Sequence, residues 1–219
     1  MHLRYIDWLK YVFDRPATAN GWYFDVDELE PFEAESSELV ELVTCTFENC
    51  GSDLSSYSND QLRYGLSYIL ENGASDVVFA LMSEDVPTEL RLRAVASLKH
   101  VYSEIFERRC APVLGHIDEP GANALNYICY MLWDVSPLSY WERAPERGTF
   151  YRAVCDVLEY ALQSSNRACV ESGLHGLGHI LSSYPERVEQ VIDGFLLNDV
   201  RRVPELRQYA EAARKGYVQ

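Results

Sequence analysis

The chain lacks any long apolar run: nothing in its 219 residues approaches the roughly 18–20 apolar positions that a membrane-spanning helix needs. Its opening, MHLRYIDWLKYVFDRP, carries Asp7 and Asp14 and has no apolar core of the kind an export signal uses, so a cytoplasmic protein is expected. Cysteine is present six times, at 45, 50, 110, 129, 155 and 169, but never as a C-x-x-C pair, which removes the common zinc-ribbon and dithiol motifs. Cys129, Cys155 and Cys169 sit among apolar residues and read as small buried hydrophobes in a reducing compartment. Cys45 and Cys50 can pair only if the helix between them ends. Catalytic signatures are also missing: there is no G-x-S-x-G elbow, no Walker loop and no H-E-x-x-H. No stretch alternates polar and apolar residues long enough to argue for a sheet.

One sign of charge is scarce. The net charge is −15, and between Arg15 and Arg63 there is no lysine or arginine. Eleven acids fall in that window: Asp25, Asp27, Glu28, Glu30, Glu33, Glu35, Glu38, Glu41, Glu48, Asp53 and Asp60. Such a field repels phosphate backbones and excludes nucleic acid as the expected partner. It attracts a protein with a basic surface and speeds their encounter. The plainer meaning of the same field is a solvated, soluble surface.

What is abundant is helical periodicity. Residues 2–14 place Leu3, Ile6, Leu9, Lys10 and Phe13 at helical spacings, ended by Arg15–Pro16. Leu39, Val40, Leu42, Val43 and Phe47 make a stripe across 36–49, with Gly51 as the stop. Ser58–Asn59 caps a helix over 60–71, and Pro87–Thr88 starts a long one over 88–108. Further helices are expected at 120–134, 149–164, 167–184, 186–198 and 204–215.

Two of these segments align. RYGLSYIL (63–70) lies on LHGLGHIL (174–181), pairing Gly65 with Gly176, Leu66 with Leu177 and Ile69 with Ile180. ANALNYICYMLWDV (122–135) offers Ala124, Leu125 and Ile128 at equivalent places. Helical hairpins recurring in this way, none able to bury its apolar face alone, are the mark of an α-solenoid. The hairpins, above all SGLHGLGHI followed by PERVEQVIDGFL, resemble HEAT or armadillo repeats, and the closing ELRQYAEAARKGYVQ is similar to the ends of small bacterial HEAT-like proteins of unassigned or toxin-antagonist function. The resemblance implies an all-α protein, a short right-handed α-solenoid of HEAT/ARM-like hairpins over 58–219 as a single continuous domain; residues 1–57 match no repeat and read as an N-terminal helical cap and acidic segment. It implies a fold more than a function, since such solenoids serve as scaffolds, inhibitors and a few enzymes.

ESGLHGLGHI (171–180) is the densest candidate for chemistry. On a helical wheel Val170, Leu174, Leu177 and Leu181 share one face, and Glu171, His175 and His179 project from the other. Two imidazoles one turn apart can share a metal ion, with Glu171 as a third ligand or as an orienting group and His100 or His116 as possible additions from elsewhere. The place that a metalloprotease needs for glutamate is Gly176, and three glycines in six residues argue for a neighbouring helix in close contact. The preferred reading therefore assigns no metal, no cofactor and no catalytic residue. MLWDVSPLSYWERAPERG (131–148) and NGWYFDVDELEPFE (20–33) group aromatics with acids, as binding hot spots do, or as plugs at the ends of helix pairs.

The expected function is a non-enzymatic protein-binding module, in concrete form an acidic immunity protein that neutralises a basic toxin. Its contact residues are expected to be Trp22, Asp25, Asp27, Glu28, Glu30, Trp133, Asp134, Tyr140, Trp141, Glu142, Glu171 and His175. The alternatives are a metal-dependent or small-molecule enzyme using Glu171, His175 and His179, and a general scaffold or adaptor.

Overall fold

The computed structural model describes residues 2–16, 21–24, 30–197 and 204–218, and all regular structure among them is helical. Of the expected contact residues, Asp25, Asp27 and Glu28 lie outside the described residues. In chain order the helices are α1 (His2–Phe13), α2 (Ser36–Glu48), α3 (Cys50–Asp53), α4 (Asn59–Leu70), α5 (Val77–Ala80) and α6 (Thr88–His100). Helix α6 runs on through a π-helical turn, Val101–Phe106, into α7 (Glu107–Arg109). Then come α8 (Ala124–Val135), α9 (Arg147–Ala161), α10 (Arg167–Ile180), α11 (Pro185–Leu197) and α12 (Pro204–Ala213).

Local chemistry explains most of these boundaries. At α4 the Ser58 hydroxyl accepts the Gln61 backbone N–H at 3.2 Å, and the Gln61 side chain accepts the Ser58 N–H at 3.0 Å, a reciprocal capping box. Asn123 and Asn126 repeat the device at α8, so that helix begins at 124 rather than at 120. Gly51 does not stop α2. Asn49 does, with its side-chain amide on the Cys45 carbonyl at 2.8 Å, and Gly51 lies within α3 where the Glu104 side chain presses against it. In α1 the buried stripe is Trp8, Val12 and Phe13, while Leu3 is 77% exposed. The Trp8 indole turns inward because its N–H has a partner there, the Thr46 hydroxyl at 3.0 Å.

The helices pack in two rows. In one, α1 lies on α4, α4 on α8, α8 on α10 and α10 on α12; in the other, α2 lies on α6, α6 on α9 and α9 on α11. The residues before 58 share one hydrophobic core with the rest, through Trp8 and Phe13 of α1 and Val43 and Phe47 of α2. All six cysteines are free thiols, and Cys129, Cys155 and Cys169 are fully buried among apolar side chains. Among the described residues no helix is long and apolar enough to cross a membrane.

Helix α10 is the most enclosed element: twelve of its fourteen residues are buried, because α8 and α12 flank it in its own row and α9 and α11 close it from the other. Its glycines mark where neighbours touch. A methyl group at Gly176 would stand 2.8 Å from the Trp133 indole and collide with the Leu158 side chain. Gly173 meets the Leu158 carbonyl in the same way, and Gly178 seats Val218. Gly65 of α4 does for Phe13 of α1 what Gly176 does for Trp133 of α8. In each pair an aromatic ring from the preceding helix of the row fills the space where a side chain would be.

Candidate functional site

The second face of α10 is buried at Glu171 and His175 and half-buried at His179. It carries a ladder of polar groups, one per turn, and the surrounding helices answer each of them. Glu171, 1% exposed, faces the loop between α7 and α8. Its carboxylate accepts the backbone N–H groups of Gly115 at 2.7 Å and His116 at 3.0 Å and also holds the His116 ring through Nδ1. A buried carboxylate with three such partners is satisfied, and it fastens the loop to α10. The His116 ring lies flat on Tyr209 of α12, with centroids 4.3 Å apart.

One turn on, His175 is fully buried and has a partner at both nitrogens. Nδ1 is 2.5 Å from the Tyr209 hydroxyl, and Nε2 is 2.5 Å from Asp134 Oδ2, at the C-terminal end of α8. A turn further, His179 Nε2 lies 2.9 Å from the other oxygen of Asp134 and 3.0 Å from His175 Nε2. Burial alone would raise the Asp134 pKa, but hydrogen bonds from His175 and then His179 outweigh it and hold the carboxyl well below the usual carboxylate range. Burial pushes the Tyr209 hydroxyl far up, with the Tyr130 hydroxyl 3.4 Å away adding to the effect, so Tyr209 is a neutral hydrogen-bonding group.

Chemically, Asp134, His175 and His179 are a set of donors that can hold a metal ion: one atom from each, all within 4.8 Å of one another. The expected third ligand, Glu171, is not among them. It is taken up by His116 and the loop amides, and Asp134 stands where the sequence suggested Glu171. Sequence reasoning missed this grouping because Asp134 reaches the histidines only through the packing of α8 on α10. The histidine spacing of four residues was the available signal, and it pointed to half of the site.

The tryptophans expected to bind a partner are interior instead. Trp133 is fully buried and donates its indole N–H to the Tyr102 hydroxyl at 3.0 Å, which is also bonded to the Ser172 hydroxyl at 2.7 Å. Trp141, 1% exposed, stacks on Phe150 with centroids 4.1 Å apart and donates to the Leu138 carbonyl, so the segment 131–148 plugs the α8–α9 connection. Trp22 is buried and lies 4.7 Å from the Tyr68 ring. With Glu171 and His175, these three tryptophans offer no surface to a partner, since helix packing covers them. Tyr140 and Glu30 are exposed, and Glu142 is partly exposed beside Arg147 at 2.8 Å.

A cavity of about 360 Å³ opens beside the ladder, lined by Leu114, Asp118, Glu119, Asn126, Tyr130 and Glu171. Its Glu119 carboxylate is bound by the Arg167 guanidinium at 2.8 Å and its Glu171 by the loop, so two of its three acids already have partners. Compared with protein-family models, with curated proteins and with solved structures, the chain has no match.

Proposed function

We propose that the chain is a short α-solenoid of HEAT-like hairpins that acts as a binding module for a protein with a basic surface, as an immunity protein does for its toxin. The equivalence of Gly65 and Gly176 supports the repeat reading: each lies in the same row, and each seats an aromatic ring from the helix before it. The helices also meet in row order, which is how a solenoid builds a core from neighbours.

The observation that carries the binding reading is the uncompensated acidity of the α2 end. Glu30, Glu33, Glu35, Glu41, Asp53 and Asp60 are exposed there. Among the described residues, Arg4 pairs with Glu38 at 3.0 Å and Arg93 with Glu48 at 2.6 Å, and both of those acids lie on α2. The remaining acids face solvent and steer a basic partner by long-range attraction, an effect on association rate that salt screens. Free thiols packed in the core fit a cytoplasmic setting.

Binding kinetics against the product of the neighbouring gene test this reading. Reversal of Glu33, Glu35 and Glu41 to lysine slows association at low salt by roughly tenfold or more and leaves the difference small at high salt. An association rate unchanged by the reversal removes the steering role, and no binding at all to that product removes the toxin-inhibitor form.

A further inference from the structure

We propose that Asp134, His175 and His179 form a binding site for one divalent transition-metal ion of the zinc class, independent of the acidic end and of any partner it holds. The reasoning starts from helix geometry. Residues 175 and 179 are one turn apart on α10, so their rings stand side by side with both Nε2 atoms turned to the same point, 3.0 Å from each other. Asp134 closes the third side, one oxygen toward each imidazole, at 2.5 and 2.9 Å. Two imidazole nitrogens and a carboxylate are a donor set for Zn²⁺, Co²⁺, Ni²⁺ or Fe²⁺. It has too few oxygens for Ca²⁺ or Mg²⁺ and no thiolate to favour Cu⁺.

The supporting shell is already in place. Metal-bound histidines commonly engage their other ring nitrogen with a fixed partner, and His175 Nδ1 has one in the Tyr209 hydroxyl. Without a metal, the Asp134 carboxylate holds the imidazole nitrogens that face it, and the Tyr209 hydroxyl is bonded to His175 Nδ1. An ion binds the tautomer in which each ring carries its proton on Nδ1, which leaves both Nε2 lone pairs free. His175 then donates from Nδ1 to the Tyr209 oxygen, and the Tyr209 hydroxyl turns toward the Tyr130 oxygen 3.4 Å away. The Tyr209 hydroxyl thus has a partner with and without the ion.

The site also has a way in. His175 is fully enclosed, but the Asp134 and His179 side chains are 28% and 29% exposed, so the ion sits at the rim with solvent on its open side. Three protein ligands and a remaining position for water are the arrangement of an open site rather than a closed structural one. A net charge of −15 raises the local concentration of cations around it.

Titration of the chelator-stripped, full-length protein with Co²⁺, read by visible absorption, tests the proposal. One equivalent produces the d–d bands of low-coordinate Co²⁺, and Zn²⁺ abolishes them by displacement. His179→Ala and Asp134→Asn, both at the exposed rim, remove the bands while keeping the parental circular dichroism. Tyr209→Phe weakens binding roughly tenfold. His116→Ala, outside the donor set, leaves the titration unchanged. If His179→Ala does not fold, His179→Gln decides, because it keeps a donor to Asp134 and lacks the imidazole. A folded parent without bands at one equivalent overturns the proposal, and so does binding that persists undiminished in the Asp134 and His179 variants.

Discussion

Helices α10 and α11 follow one another in the chain and are similar in length and apolar content, yet the structure treats them differently. Helix α10 is buried over most of its surface, with His179 at its open edge, and its glycines are contact points. Helix α11 buries Val188, Val191, Ile192 and Phe195 along one stripe, and its Gly194 faces open space. The same residue type is thus an obligatory fit in one helix and an unneeded loss of helix propensity in the next. The histidines of α10 follow the same rule: their meaning comes from what packs over them.

The comparison can be broken in order of size. Trp133→Ala, which empties a fully buried site at the α8–α10 contact and leaves the Tyr102 hydroxyl one donor short, should cost about 4 kcal/mol in chemical denaturation. A cost near zero would show that the two helices do not press together there. Gly176→Ala comes next, at about 2 kcal/mol, because the added methyl meets an indole ring and the Leu158 side chain and outweighs the gain in helix propensity. Glu171→Gln is expected to cost a similar or slightly smaller amount, about 1–2 kcal/mol. Its sharper readout is hydrogen exchange: the Gly115 and His116 amides should lose protection while those of α11 keep theirs. Smallest is Gly194→Ala, which should stabilise the protein by about 0.5–1 kcal/mol, since nothing lies within 4 Å of the new methyl group. A loss of stability at Gly194 as large as at Gly176 would erase the distinction between the two helices.

How much of this was legible beforehand follows the range of the forces involved. The helices and several of their ends follow from stripes and caps that act within a few residues, as at Ser58 with Gln61 and at Pro87. Glycines spaced through the α10 stripe were readable as contact points, and the ring each one seats was not. The π-helical turn at Val101–Phe106 has no local signature in VYSEIF; it buries Tyr102, Ile105 and Phe106 and brings the Tyr102 hydroxyl to Ser172 and Trp133, all set by distant residues. The tryptophans looked like surface anchors because acids flank them in sequence. Burial is decided instead by the partners that Tyr102, Leu138 and Phe150 provide. The ladder on α10 was half visible: the spacing of His175 and His179 was plain, but Asp134 lies 41 residues away from His175 and becomes its neighbour only when α8 packs on α10.

The central claim is that His175 and His179 of α10, with Asp134, form a cation centre at the edge of the core rather than a surface for a partner. The most direct measurement is thermal unfolding of the parent and of His179→Ala, each with and without zinc at about 100 times the dissociation constant measured for the parent. The account predicts a rise of about 5–10 °C for the parent and none for the variant. Equal shifts in both proteins, or no shift in either, would contradict it.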